Sequence, residues 1–135
     1  ILRGLHFQLP PKAQSKLVRV IEGAVLDVAV DIRRGSPSFG QYVAVELSSV
    51  NKKQMFIPRG FAHGYVVLTR SATLVYKVDN YYSPKCDRGL AFDDIDLNID
   101  WQLNKQELLL SNKDSQQPRL AELTDFFEYD YNYYE

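Results

Sequence analysis

The fold class is decided by one stretch of the chain, Val25-Leu26-Asp27-Val28-Ala29-Val30-Asp31-Ile32. Its even-numbered residues are all apolar, whereas Asp27 and Asp31 both occupy odd-numbered positions. Successive side chains of a β-strand point to opposite faces, so the apolar residues share one face and the two aspartates share the other. The stretch therefore predicts a strand with one wholly apolar face.

The same alternation recurs on both sides of this stretch. A strand is predicted before it at 16–21, and the turn Glu22-Gly23 separates the two. Further strands are predicted after it, at 42–47, 54–57, 62–68 and 73–78. Residues typical of turns (Gly, Pro, Ser and Asn) cluster between them. Short strands at this spacing are typical of an all-β sandwich or barrel of antiparallel strands, not of alternating βαβ units.

The end of the chain departs from this pattern. Residues 118–127 carry apolar side chains at helical spacing, which predicts a short helix. Residues 128–135 are acidic and aromatic without a clear period, so they either pack on the barrel or fray. Neither a repeat nor an interdomain linker is visible, and the 135 residues are predicted to form one domain.

Composition and charge exclude several classes of function. The formal net charge is −1, so nonspecific binding to nucleic acid or to a membrane surface is not expected. Any anionic ligand must be met by locally placed Arg, Lys and His. No apolar run approaches the roughly 20 residues of a membrane span. Cys86 is the only cysteine, which excludes an internal disulfide and favours a reducing, cytoplasmic location.

The sequence offers little for metal, phosphate-loop or nucleophilic chemistry. Metal sites inside β-barrels usually draw on a His-x-His pair with further ligands, but His6 and His63 are isolated and far apart. We therefore predict no metal site, with two histidines and remote carboxylates as the alternative. There is no Gly-rich phosphate loop. Cys86 is interpreted as an incidental loop thiol, since the neighbouring Asp87 disfavours a thiolate.

General acid–base chemistry remains, and the two histidines are its first candidates. His6 follows Arg3-Gly4-Leu5, and an imidazole, with an ordinary pKa of about 6.5, accepts protons readily near neutral pH. His63 follows a Pro-Arg-Gly turn and precedes Gly64, which indicates a crowded bend at a pocket rim. Each also has a structural interpretation, as a hydrogen-bonded strand residue or as the cap of a turn.

Tyr76 and Lys16 complete the inventory. Alternation places Tyr76 on the same face as Leu74 and Val78, pointing inward, where a phenol at a barrel mouth could donate a proton. Lys16 opens a predicted strand. A core tyrosine and a solvated lysine are the plainer interpretations, and the residues alone leave both open.

Taken together, the order and spacing of many short motifs identify a family. They include Arg3-Gly4-Leu5-His6, Lys16-Leu17-Val18-Arg19-Val20, Gly35-Ser36-Pro37-Ser38-Phe39-Gly40, Pro58-Arg59-Gly60-Phe61-Ala62-His63-Gly64, Asp87-Arg88-Gly89, Ile99-Asp100-Trp101 and Ser111-Asn112-Lys113-Asp114. In these motifs the chain resembles the dTDP-4-dehydrorhamnose 3,5-epimerases over residues 1 to about 124. The resemblance implies a cupin-like jelly-roll barrel.

The resemblance also implies roles for four catalytic residues. His6 would be the base, and Asp114 the carboxylate that orients it. Tyr76 would be the acid that returns a proton from the opposite face, and Lys16 the cation near the ketone oxygen. The implied reaction is epimerisation at carbons 3 and 5 of dTDP-4-dehydro-6-deoxy-D-glucose, giving dTDP-4-dehydro-L-rhamnose, without a metal or cofactor.

Substrate binding and assembly follow from the same resemblance. Arg3, His63 and Lys113 would contact the nucleotide-sugar, and Asp87 would help to hold its nucleotide end. Family members form homodimers and carry further strands before the Arg-Gly-Leu-His motif. We therefore expect nucleotide affinity and the two-fold interface to depend on that part, and residues 1–135 alone to be poorly active.

Three alternatives stay open. A single-carbon epimerase or a 3,4-ketoisomerase acting on a related dTDP-ketosugar would use the same barrel. A catalytically silent barrel that binds a sugar nucleotide is the alternative from a different class. A metal-dependent enzyme of cupin fold is the third.

Overall fold

The computed structural model describes residues 1–135 and is built almost entirely from β-strands. Its only helical elements are three single 3₁₀ turns, at Lys105–Glu107, Asp114–Gln116 and Leu120–Glu122. The strands are β1 (Leu2–Gln8), β2 (Lys16–Glu22), β3 (Ala24–Asp31), β4 (Arg33–Arg34), β5 (Tyr42–Ser48), β6 (Gln54–Ile57), β7 (Phe61–Val67), β8 (Thr73–Val78), β9 (Asp87–Gly89) and β10 (Phe127–Glu128). The predicted all-β class is confirmed, and each strand predicted from alternation is present.

Two antiparallel sheets make the body of the fold. The larger sheet has the order β5-β3-β7-β1-β9, and the smaller has the order β6-β2-β8. A separate parallel pair joins β10 to β4. No helix is long and apolar enough to cross a membrane.

Strand β3 lies between β5 and β7 and is buried on both faces. Its apolar face, with Leu26, Val28 and Val30, belongs to the larger hydrophobic cluster. Its other face contributes Val25 and Ala29 to a second cluster, which also contains residues of the smaller sheet (Val18, Val20 and Ile57). The space between the two sheets is therefore lined by the face of β3 that carries the aspartates.

The helix predicted over 118–127 is wrong in extent. Only Leu120–Glu122 makes a 3₁₀ turn, and the chain then extends into β10. Phe127 inserts into the larger cluster, where it is 1% exposed and meets Phe7 edge-on at 6.2 Å between ring centroids. Because this packing requires extended backbone, tertiary contacts override the local helical spacing. The residues after it pack on the barrel.

Candidate active site

A cavity of about 430 Å³ opens between the two sheets. Six of the eight residues proposed from the sequence line it: His6, Lys16, His63, Tyr76, Asp87 and Lys113. Asp114 lies behind His6, and Arg3 lines an adjoining cavity of about 560 Å³ that shares His6 and Lys113 with the first. Seven residues thus surround one space or support its wall, and Arg3 lies next to it.

The two sheets place different proposed residues on opposite walls of the cavity. His6 on β1 pairs directly with His63 on β7, so both imidazoles come from the larger sheet. Lys16 and Tyr76 come from the smaller sheet, where Tyr76 on β8 pairs with Val18 on β2. Directly paired residues share a face, and Lys16 lies two residues from Val18, so both side chains point to the interior. Tyr76 is 57% exposed, at the mouth of the cavity rather than in a core.

Two glycines allow the larger sheet to present His6. Gly4 has φ +130°, and a Cβ there would lie 2.5 Å from the Cα of Gly64. A Cβ on Gly64 would in turn lie 2.8 Å from the carbonyl oxygen of Arg3. Real side chains do not tolerate such contacts, so this close approach of β1 and β7 requires glycine on both. The register of the pair shifts between Arg3 and His6, directly before the imidazole.

His6 is held by a carboxylate from a distant part of the chain. Its Nε2 lies 2.5 Å from Oδ1 of Asp114, which is 4% exposed and opens a 3₁₀ turn. The second oxygen of Asp114 accepts a hydrogen bond from the backbone N–H of Gly4 at 3.2 Å. With both oxygens engaged the carboxylate is fixed, and it holds the imidazole in one orientation.

His63 has a carboxylate of its own, which sequence reasoning did not assign. Its Nε2 lies 2.6 Å from Oδ1 of Asp27, a fully buried residue of the neighbouring strand β3. The other oxygen of Asp27 is buried and has no hydrogen-bond partner. The signal for this pair was the polar face of β3, since a charged group inside a sheet core demands a partner. Alternation alone does not name His63 as that partner.

Lys16 presents an unpaired cation to the cavity. Its ammonium makes no hydrogen bond and no ion pair with the protein. Burial lowers the pKa of Lys16 below its ordinary value, and the negative charges of Asp27 and Asp87 partly oppose this. A half-buried cation with no protein partner is poised to meet an oxygen that gains negative charge.

Lys113 and Asp87 form an ion pair at the rim. Their Nζ and Oδ2 atoms lie 2.7 Å apart, and this hydrogen bond raises the pKa of Lys113. Arg3 occurs in register with Tyr65. Burial raises the pKa of that tyrosine, and the charge of Arg3 works in the opposite direction. The positive groups beside the cavity, Arg3 and Lys113, suit a ligand with negative charge.

Three further cavity residues were not proposed as site residues from the sequence. Gln14, Phe61 and Tyr82 all line the cavity. Tyr82 is 65% exposed, and such an accessible ring is suited to stack on a planar ligand group. Among the described residues, all 135 of the chain, no group of three or more His, Cys, Asp or Glu is arranged to hold a metal ion.

The geometry supports proton transfer from both sides of a bound molecule. An oriented imidazole lies on one wall and a phenol on the other, with an ammonium on the strand paired to that of the phenol. Such a set can remove a proton beside a carbonyl, stabilise the resulting enolate and return a proton to the other face.

Comparison with known proteins agrees with this geometry. The family profile described as dTDP-4-dehydrorhamnose 3,5-epimerase matches residues 1–122. An epimerase of that name from Shigella flexneri is 54% identical over 114 residues, which are 84% of this chain and 62% of the relative. The chain therefore spans less than two thirds of the length of that relative.

Solved structures share the fold. A dTDP-6-deoxy-D-glucose-3,5-epimerase from Legionella pneumophila Philadelphia 1, in complex with dTDP-4-keto-L-rhamnose, is 47% identical with a TM-score of 0.90; the match covers 96% of this chain and 69% of that one. This similarity supports the cupin-like architecture expected from the sequence.

A 3′-monoepimerase from Streptomyces bikiniensis in complex with dTDP is 35% identical, with a TM-score of 0.82 over 89% of this chain and 60% of that one. Its structure is of a double mutant, in which a histidine became asparagine and a tyrosine became phenylalanine. These two positions have the same sequence spacing as His6 and Tyr76. With the profile matching most of its length, the chain belongs to the dTDP-4-dehydrorhamnose 3,5-epimerase family.

Proposed function

We propose that this chain is an isomerase that carries the proton-transfer site of a 3,5-epimerase. Its substrate would be dTDP-4-dehydro-6-deoxy-D-glucose and its product dTDP-4-dehydro-L-rhamnose. One observation carries the proposal: His6, which Asp114 holds, and Tyr76 come from opposite sheets and line a single cavity with Lys16.

The chemistry of the substrate explains why this arrangement is needed. Carbons 3 and 5 flank the ketone at carbon 4, so loss of either proton gives an enolate whose charge rests on the ketone oxygen. His6 would take the proton, and general bases of this kind contribute about 10² to 10⁴ in rate. Lys16 would stabilise the enolate oxygen, an interaction worth about 10² to 10³ in comparable sites. Tyr76 would return a proton from the other side, inverting the carbon.

The residues at the rim suit the nucleotide part of the substrate. Arg3 and Lys113 would meet the diphosphate, and the ion pair with Asp87 would hold Lys113 in place. His63 is buried, and its Nε2 is already engaged by Asp27, so this imidazole is poorly placed to take a proton from a substrate. We therefore assign His63 to substrate orientation rather than to proton abstraction.

We further propose that residues 1–135 form a single domain that acts within a homodimer. The outer face of the smaller sheet exposes Leu17, Ile21, Phe56 and Val75, with 36–58% of each residue accessible. An uncovered apolar sheet face of this kind is typical of association surfaces. Light scattering coupled to size exclusion would give twice the mass of the chain, and a strictly monomeric mass at assay concentration would contradict the dimer.

Proton exchange in heavy water tests the proposed activity directly. The protein is incubated with dTDP-4-dehydro-6-deoxy-D-glucose in D₂O, and ¹H NMR follows the signals at carbons 3 and 5. The proposal predicts deuterium and inverted configuration at both carbons. Binding without any exchange would leave a catalytically silent barrel, and migration of the keto group would indicate a ketoisomerase.

A single-carbon epimerase is the second candidate, because the Streptomyces bikiniensis relative is a 3′-monoepimerase with the same histidine and tyrosine spacing. The same spectra separate it, since exchange would then be confined to carbon 3. Persistence of activity after dialysis against a chelator, combined with elemental analysis, separates both from a metal-dependent enzyme.

A further inference from the structure

The aromatic segment 127–134 has no role in the proposed chemistry, yet it lies against the rim of the cavity. It starts in β10, where Phe127 and Glu128 pair with Arg33 and Arg34 of β4. Tyr133 then folds back, packing edge-on against Phe127 at 4.8 Å between centroids. Its hydroxyl accepts a hydrogen bond of 2.6 Å from the backbone N–H of Glu128. The segment is thereby anchored independently of the cavity.

Beyond this anchor, Tyr134 closes a ring of polar contacts. Its hydroxyl accepts a hydrogen bond from the backbone N–H of Arg59 at 3.0 Å and lies 2.8 Å from Oγ of Ser15. The guanidinium of Arg59 stacks over the tyrosine ring at 4.8 Å and pairs with Asp79 at 3.2 Å. Asp79 completes this ring of contacts by accepting a hydrogen bond from the backbone N–H of Ser15 at 2.7 Å.

Each member of this ring adjoins a residue of the cavity wall. Ser15 directly precedes Lys16, and Asp79 directly follows Val78 at the end of the strand that carries Tyr76. Arg59 forms the turn between β6 and β7, the strand that carries His63. Ser15 is only 4% exposed, so the ring fixes the backbone where β2 enters the cavity. The Tyr134 hydroxyl thus joins two separate segments beside the wall, and Asp79 links both of them to a third.

We infer that Tyr134 is a positioning residue that fixes Lys16 against the opposite wall. The inference rests on the proposed function, because it assumes that Lys16 must face the ketone oxygen. The Lys16 ammonium makes no hydrogen bond or ion pair with the protein, so the position of this side chain depends on its backbone and on packing. Misplacement of a reacting group by about 1 Å can lower a rate by about 10². The loss of one hydroxyl anchor should move it less.

The test compares Tyr134→Phe with Tyr131→Phe. The first variant removes the hydroxyl and keeps the ring on Arg59. The second removes a hydroxyl from the same segment, at a ring that stacks on Tyr133 and whose hydroxyl makes no hydrogen bond with the protein. We expect Tyr134→Phe to lower the kcat of ketosugar exchange about three- to tenfold with KM unchanged, because Lys16 acts on charge that develops after binding. Tyr131→Phe should match the wild type.

Amide hydrogen exchange, followed by NMR, gives a readout that does not depend on activity. The Ser15 and Arg59 amides should exchange at least threefold faster in Tyr134→Phe than in Tyr131→Phe, with melting temperatures that agree. Ser15→Ala should lower kcat similarly, and combining it with Tyr134→Phe should add little, because both remove one contact. Amide exchange and kcat equal to those of the control would overturn the inference, as would faster amide exchange with unchanged kcat. If the wild type exchanges no substrate protons, the proposed function fails, and the catalytic part of the inference fails with it. Equal amide exchange in Tyr134→Phe and Tyr131→Phe would instead refute the anchoring by the Tyr134 hydroxyl.

Discussion

The two histidine–aspartate pairs of this protein lie side by side and are built differently. In both, Nε2 of the imidazole lies within 2.6 Å of a carboxylate oxygen, and the two histidines are directly paired across β1 and β7. The His6 side chain is 32% exposed towards the cavity, against 9% for His63. The pairs therefore share a chemical motif but differ in how far each imidazole is exposed to the cavity.

Their carboxylates differ as well. Asp114 uses its second oxygen to accept the backbone N–H of Gly4, whereas the second oxygen of Asp27 is buried without a partner. The charge of Asp27 also acts on Lys16, whose pKa it raises against the effect of burial. A carboxylate beside an imidazole therefore does not by itself define a catalytic base. In the proposed reaction, greater exposure to the cavity favours His6 as the base, and burial favours an orienting role for His63 and Asp27.

The largest effect is expected from His6→Ala. We predict that deuterium exchange at both carbons slows by about 10² to 10⁴, because the proposed base is removed. The side chain lies at a cavity wall, so circular dichroism and the melting temperature should change little. Exchange that persists at one carbon would show that His63 or another group abstracts that proton, and the division between the two pairs would be wrong.

The next largest effects are expected from asparagine substitutions of the two carboxylates, Asp114 and Asp27. Asp114→Asn should lower kcat by about 10², approaching the lower end of the loss for His6→Ala, because the imidazole loses the carboxylate that faces the positive charge developing on it as it takes the proton. Asp27→Asn should leave kcat at pH 7 within about tenfold of the wild type and act mainly on KM. Steady-state kinetics on both variants separates the two roles, and equal losses of kcat would contradict it.

Asp27→Asn should also move the alkaline limb of the pH profile. Lys16 supports the enolate only when protonated, so activity falls as pH rises through its pKa. The negative charge of Asp27 raises that pKa, so its removal lowers it and the limb shifts to lower pH. Asp114→Asn, which leaves the charge of Asp27 in place, is the matched control. An alkaline limb that stays in place would remove Asp27 from the support of Lys16.

The smallest effect is expected at Asp31, a buried aspartate on the same face of β3 as Asp27. Burial raises the pKa of Asp31, but hydrogen bonds from Arg33, Ser36 and Ser38 outweigh it and lower the pKa to about 2. Because the folded-state pKa is depressed, the stabilisation is fully present above the ordinary value near 3.8 and is lost as pH falls towards 2. Asp31→Asn should make the free energy of unfolding less dependent on pH between these values, without changing kcat at pH 7. An unchanged acid slope would contradict the assignment.

Sequence reasoning anticipated the strands and most of the cavity wall because both depend on local pattern. Alternation over 25–32 fixed which residues of β3 face each core, and it put Tyr76 on the same face as Val78. It could not show that Tyr76 lies at an open mouth, because exposure depends on which strands pack opposite. The segment 118–127 was misjudged because burial of Phe127 outweighs helical spacing.

Contacts between distant parts of the chain were beyond pattern alone. Asp114 lies 108 positions from His6, and only the family resemblance connected them. Asp27 was visible as a polar residue in an apolar strand, but its partner depends on the register of β3 with β7. The ring around Tyr134 joins segments up to 119 positions apart and has no local signature at all.

Tyr76→Phe, assayed in heavy water, tests whether a base and an acid act from opposite walls of the cavity. Exchange and inversion are measured separately on the same ketosugar by ¹H NMR. If they do, Tyr76→Phe still takes up deuterium at the carbons beside the ketone while inversion slows by at least tenfold at one of them. Inversion as fast as in the wild type would contradict this division of roles, since the proton would then reach the ring without the phenol.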